Sequence, residues 1–195
     1  ISDISGLSII KEVEGTITIK NSYTGGTLTG LDNITKIGGL SIGSEENPAA
    51  NETLEMVSMT KLNEVTGNIH VYNNGVKFVQ FDLLKAIEGD FVISSSTLTT
   101  LQIPELINVG GALNIFGMGK GAISTLVFPK VQTVKNSLSI NEISTLKSIS
   151  FPELIETGSI NFSSLSSFSN IIFIFCDRRC TLSPCIPLTF FKISA

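Results

Sequence analysis

The stretch Ile103–Ile115, read I-P-E-L-I-N-V-G-G-A-L-N-I, decides the fold, because its pattern recurs almost from end to end of the chain. Its second half, V-x-G-x-L-x-I, returns as Val13-Gly15-Ile17-Ile19, Val65-Gly67-Ile69-Val71 and Ile87-Gly89-Phe91-Ile93. Val134-Asn136-Leu138-Ile140 is the same phrase with Asn in the glycine slot. Ile37-Gly38-Gly39-Leu40-Ser41-Ile42 and Thr157-Gly158-Ser159-Ile160-Asn161-Phe162 are one residue shorter. Successive anchors, from Val13 to Thr157, lie 22 to 28 residues apart. A fixed period of that size marks stacked coils that share a core, because one such unit cannot bury its own apolar face.

The first half of the phrase is equally regular. An apolar residue stands six positions before each anchor and another three before it, as in Leu7 and Ile10, Phe81 and Leu84, Ile103 and Leu106, or Phe151 and Leu154. Proline follows the first of these at Pro104, Pro129 and Pro152, and a further apolar pair lies upstream, as in Leu98 and Leu101. The alternating pieces L-x-(F/I) and G-x-L-x-I predict two short strands per coil, each with one buried face. The L-x-x-V spacing between them predicts a tight corner of i, i+3 type. Proline ends the first strand, since it cannot donate to a ladder. Glycine admits the chain to a corner that a side chain would crowd. The expected fold class is therefore all-β: a solenoid, or β-helix, of about seven leucine-rich coils. Its hand is expected to be right-handed from the general rule for crossover connections. Seven coils at about 4.8 Å each give a stack roughly 30 Å long.

Composition narrows the classes further. Charged residues make up 15% of the 195, against about a quarter in an average domain. Ser, Thr, Asn and Gly carry the polar share, which suits β-coils rather than surface helices. The 13 basic residues are scattered and the net charge is −4, so no nucleic-acid partner is expected. No apolar run reaches the roughly 18 residues of a membrane-spanning helix. Ile1 opens directly on a repeat, which reads as a trimmed or mature fragment and leaves the compartment open.

The phrase as a whole resembles the receptor L-domain family, the irregular leucine-rich β-solenoids of cell-surface proteins, over Leu7 to Phe162. It is also similar to the L-domain-like repeats of fungal cell-wall and bacterial surface proteins. The cysteine-rich modules that flank receptor L-domains are missing. The resemblance implies an extracellular or cell-surface location. With no catalytic cluster in the sequence, a non-enzymatic module that binds a protein or glycan, without cofactor, is expected. The alternatives are a structural envelope or wall component, or a polysaccharide-cleaving β-helix enzyme. The solenoid is expected over residues 1–170, with 171–195 as a C-terminal cap or tail.

Candidate sites follow from the same alternation. Outward positions form columns across coils. One is expected to run Thr18, His70, Val92, Asn114, Ser139 and Asn161. The next is expected to run Lys20, Tyr72, Ser94, Phe116 and Asn141. Tyr72 and Phe116, an exposed aromatic pair among small polar residues with His70, Asn114 and Lys20 beside them, are the expected ligand-binding residues. His70 is the only histidine and has no Cys, Asp or Glu beside it at ligand spacing, so no metal site is expected. A Ser-His-Asp arrangement has no nucleophile elbow to serve it. Glu88 and Asp90 are the nearest approach to a pair of catalytic carboxylates, and a solvated pair is the plainer expectation. Cys176, Cys180 and Cys185 do not have zinc-module spacing; one disulfide among them is expected in an extracytoplasmic setting. Sequons stand at Asn33, Asn51 and Asn161. The loop 43–52 and the glycine-rich 115–122 read as plain turns without phosphate-loop spacing.

Overall fold

The V-x-G-x-L-x-I phrases stack in register as one parallel sheet. The computed structural model describes residues 1–46, 53–117, 123–173 and 188–189. Four phrases are continuous strands, Glu12–Ile19, Lys36–Gly43, Thr133–Asn141 and Glu156–Ser163. The three central ones are each broken in two, as Glu64–Val65 with Ile69–Tyr72, Ala86–Ile87 with Phe91–Ser94, and Asn108–Val109 with Leu113–Phe116. Together these pieces make a sheet of ten strands. We number the coils one to seven by these phrases in chain order. Among the described residues the regular structure is strand, apart from one short 3₁₀ turn at Ser5–Leu7. This is an all-β solenoid of about seven coils.

A second, narrower wall runs along the opposite side. Met56–Ser58, Phe78–Gln80 and Thr100–Gln102 pair in parallel, as do Thr125–Val127, Ser148–Phe151 and Asn170–Phe173. Leu188–Thr189 closes the latter sheet by pairing antiparallel with Asn170–Phe173. Parallel pairing thus extends to Phe173, while Cys176, Cys180 and Cys185 lie outside the described residues.

Turns of the expected type join the two walls. Leu62 N–H donates to the Met59 carbonyl at 3.1 Å and Leu106 N–H to that of Ile103 at 3.3 Å. Pro104 therefore sits at the second position of a β-turn, where its fixed φ is favourable. Just beyond each turn a backbone rail links every coil to the next. Thr35 N–H donates to Lys11 O, Asn63 to Thr35, Lys85 to Asn63, Ile107 to Lys85, Gln132 to Ile107 and Ile155 to Gln132, all at 2.7–3.0 Å.

Apolar positions stack inside these rails. Phe81, Ile103, Phe128 and Phe151, from successive coils, are all essentially inaccessible. The rings of Phe128 and Phe151 stack at 4.4 Å and 4°. Burying a side chain of this size contributes about 1.5–3 kcal/mol. The terminal coils depart from the expectation that every such residue is buried. Leu7 is 41% exposed, Ile10 is only partly covered, and Ile160 in the last coil is 45% exposed. A coil with a stacking neighbour on one side only leaves its interior half covered.

The glycine slot has a specific cause. A Cβ on Gly67 would lie 2.5 Å from the carbonyl oxygen of Gly38, and one on Gly38 would lie 2.0 Å from that of Glu14. Neighbouring backbones approach too closely here for any side chain. Asn136 escapes because a bulge between Val134 and Ser137 carries it outward, where it is exposed. The one-residue-shorter copies pair with full-length ones through such bulges. Gly15, on the open outer edge, would meet nothing within 4 Å. Replacing Gly67 by Ala is therefore expected to cost about 1–3 kcal/mol, as overpacking does. Gly15→Ala is expected to change stability by less than about 0.5 kcal/mol. Urea unfolding of the two variants checks the contrast.

Candidate functional site

The outer face of the long sheet is built by register. Thr18 pairs with Ser41, Ser41 with His70, His70 with Val92, Val92 with Asn114, Asn114 with Ser139 and Ser139 with Asn161. This is the expected first column, with Ser41 supplied by the shorter second coil. The second column runs Gly43, Tyr72, Ser94, Phe116, Asn141 and Ser163. Lys20 does not belong to its paired ladder: it follows the end of Glu12–Ile19, exposed, and Gly43 heads the column instead. The strand stops one residue before Lys20, so its side chain is not held in the array.

Three of the expected residues converge. The His70 and Tyr72 rings meet edge-on at 5.9 Å, and the Tyr72 and Phe116 rings lie 6.4 Å apart, tilted by 54°. Tyr72 and Phe116 come from coils three and five, with Ser94 of coil four between them. Strands at about 4.8 Å spacing would hold two such rings nearly 10 Å apart if both stood upright. The rings therefore lean toward each other across Ser94. All three aromatic residues are half-buried rather than exposed, and they form a patch rather than isolated rings.

The covering of coil four is the feature that alternation alone does not reveal. Phe91, Val92, Ile93 and Ser94 are all buried, although two of them point outward. Val92 lies beneath His70 and Asn114, and Ser94 beneath Tyr72 and Phe116, because small residues are overhung by larger neighbours in the same column. Two polar atoms are caught in this floor. Ser94 Oγ and Asn114 Oδ1 are buried without a hydrogen-bond partner in the protein. Alternation places Ser94 in the column, but its own sequence neighbours do not mark it as a site residue. The usable signal is a small hydroxyl residue flanked in its column by two aromatics.

Charge lies at the margins of the patch. The Glu45 carboxylate lies near the Tyr72 hydroxyl. Burial, then the negative charges of Glu45 and Asp90, hold this phenol above its ordinary value of 10.0. Asp90 is not a free partner of Glu88, as a catalytic pair would require. Its Oδ1 accepts the Ala112 N–H at 2.7 Å, and its own N–H donates to Asn68 Oδ1 at 2.8 Å. These side-chain links carry the coil-to-coil bonding across the breaks in the central strands. Among the described residues no group of three His, Cys, Asp or Glu could hold a metal ion. Of the sequon residues, Asn33 is engaged: its Nδ2 donates to Ser8 O at 2.7 Å and its Oδ1 accepts from Lys61 Nζ at 2.7 Å. Asn161 is exposed in the last coil, and Asn51 lies outside the described residues.

Other concavities are shallow or too small. A space of about 10 Å³ behind Phe116, bounded by Leu98, Ile115, Ile123 and Ile143, has room for no more than one water. A groove of about 540 Å³ follows the strand breaks beside Glu88, Asn108, Thr133 and Lys135. A second, of about 400 Å³, lies where Thr100–Gln102 and Thr125–Val127 fail to pair, between Leu101, Pro104, Val127 and Pro129. Of the loops 115–122 and 43–52, read above as turns, residues 118–122 and 47–52 lie outside the described residues. Among the described residues no helix is long and apolar enough to cross a membrane. Comparison with protein-family models, with curated proteins and with solved structures returned no match in any of the three.

Two outcomes follow from this geometry. Removing the partnerless Ser94 hydroxyl relieves a buried polar group, so Ser94→Ala is expected to raise stability by about 1 kcal/mol. Thermal unfolding against the native protein checks it. Tyr23, buried and donating to Thr27 O at 2.5 Å, is likewise held above 10.0, by burial first and then by Asp3. Folding thus favours both neutral phenols. Their contribution is complete below pH 10 and is lost as pH climbs through the raised folded values. Stability is expected to fall in that alkaline window, and Tyr72→Phe is expected to make the fall shallower. Denaturant midpoints measured from pH 8 to 11.5 read it.

Proposed function

We propose that this chain is a non-enzymatic binding module of the secreted or cell-surface kind, which takes a protein or glycan ligand on the outer face of its long sheet. The observation that carries the reading is the convergence of His70, Tyr72 and Phe116 over two buried polar atoms without partners. A half-buried aromatic patch beside unsatisfied polar groups is costly to maintain in a fold that does not need it. Aromatic residues of this kind also supply most of the contact energy in recognition surfaces. The resemblance of the repeat phrase to L-domain proteins supports the extracellular location and the class of activity.

The carboxylates argue in the same direction. Asp90 is spent on the backbone, and Lys36–Glu64, Lys77–Glu55 and Lys130–Glu105 form pairs at 2.6–2.7 Å between adjacent coils. These charges are arranged to join coils, not to converge on a substrate. A structural role in a cell envelope or wall is the second reading. It is favoured by the continuous rail of backbone bonds from Lys11 to Ile155, which gives the stack axial stiffness.

The test is binding of the purified protein to a panel of cell-surface extracts and immobilised glycans, beside the double variant Tyr72→Ala/Phe116→Ala. The rings lie on the outer face, so the double variant is expected to stay folded and to lose at least 90% of the specific signal. Binding that is undiminished in a folded double variant would remove the ligand from this face. Absence of binding by the native protein would leave the structural reading.

A further inference from the structure

We infer that the ligand of this face is a neutral glycan, whose sugar rings lie on Tyr72 and Phe116 and whose hydroxyls reach Ser94 and Asn114. The inference rests on the binding role proposed above and narrows it to one chemistry. Three independent features of the face support it.

Charge comes first. The two columns that carry the patch, Thr18 to Asn161 and Gly43 to Ser163, contain no Asp, Glu, Lys or Arg, whereas the outward column at the start of the same strands carries Glu12, Lys36, Glu64 and Glu156. The carboxylates of Glu45 and Asp90 lie near the Tyr72 hydroxyl, and Asp90 accepts the Ala112 N–H. A phosphate, sulfate or carboxylate ligand calls for Arg or Lys at the contact. Lys20, the basic residue nearest this surface in sequence, stands outside the paired array. Within these two columns no Lys or Arg stands to favour an anion.

Polarity comes second. Ser94 Oγ can donate or accept, while Asn114 Oδ1 accepts and its amide nitrogen donates. Both oxygens are buried and without a partner, and both sit next to the rings rather than deep in the core. Sugar hydroxyls offer both donor and acceptor at fixed spacing, and a peptide side chain of the apolar kind favoured in protein hot spots would leave these atoms unsatisfied.

Shape is the third. Two rings 6.4 Å apart and tilted by 54° form a shallow trough, not a deep pocket. A pyranose presents an apolar CH face to such rings while its edge hydroxyls point down to the floor. Both rings stand on the outer face, so a change of side-chain rotamer at Tyr72 or Phe116 uncovers Ser94 without backbone motion.

The experiment is calorimetric titration with neutral probes (laminarihexaose, cellohexaose, chitohexaose and a soluble mannan), with heparin and polygalacturonate as anionic probes. At least one neutral probe is expected to bind, with affinity changing less than twofold between about 50 and 500 mM NaCl, because no ion pair is screened. Ser94→Ala and Asn114→Ala are each expected to weaken that binding at least tenfold while melting no lower than the native protein. In parallel, a surface extract that binds through Tyr72 and Phe116 is treated with periodate or with protease. Loss on periodate alone supports the inference. Loss on protease alone, or saturable binding of anionic probes only, overturns it and leaves the binding role standing. If neither extracts nor probes bind, both fall.

Discussion

Everything in this molecule depends on the close approach of one coil's backbone to the next. Parallel strands hydrogen-bond at about 4.8 Å, and at the bend of the long sheet that spacing leaves no room for a Cβ. Gly38, Gly67, Gly89 and Gly111 stand where a side chain would strike oxygen atoms of the preceding coil. Gly89 N–H donates to Gly67 O at 3.0 Å and Gly111 N–H to Gly89 O at 2.9 Å, so the glycine column is itself a rail of backbone bonds. Where the central strands break, Asn68 and Asp90 carry the bonding across with their side chains. The register is thereby set at the bend, and the core columns on one side and the outward columns on the other inherit it. A slip of one residue would exchange the two faces of the sheet.

The site is a by-product of that register. No single coil contains it: His70 and Tyr72 come from coil three, Val92 and Ser94 from coil four, and Asn114 and Phe116 from coil five. What makes it distinct from the rest of the face is a contrast of size within a column. A serine between a tyrosine and a phenylalanine lets the two rings lean together and close over it. Farther along, Asn141 and Ser163 are matched in size, and Asn141 Oδ1 accepts both the N–H and the hydroxyl of Ser163, at 3.1 and 2.9 Å. There the polar groups satisfy one another. Around Ser94 they do not.

This difference explains what was legible in the sequence. The period, the two walls and the core columns follow from apolar spacing and are read directly, down to Phe81, Ile103, Phe128 and Phe151 as one stack. The outward columns follow too, because alternation assigns each residue a face. Lys20 was misplaced because alternation does not say where a strand ends. The engagement of Asp90 was hidden because a carboxylate that accepts a backbone N–H looks, in one dimension, like one that faces water. The burial of Ser94 and of the Asn114 Oδ1 is hidden for a related reason: it depends on the bulk of residues one coil away on either side. The unpaired gap between Thr100–Gln102 and Thr125–Val127 had one trace, a longer interval between Val109 and Val134 than between Val65 and Ile87.

The central claim is that register brings the rings of coils three and five together over coil four. Aromatic-edited nuclear Overhauser spectroscopy tests it most directly. The account predicts cross-peaks between the ring protons of Tyr72 and Phe116, residues of coils three and five that are joined only through the stacking of coils. Cross-peaks from the Tyr72 or Phe116 ring to core residues of other coils such as Phe91 or Ile140, without any contact between the two rings, would contradict both the register and the site built on it.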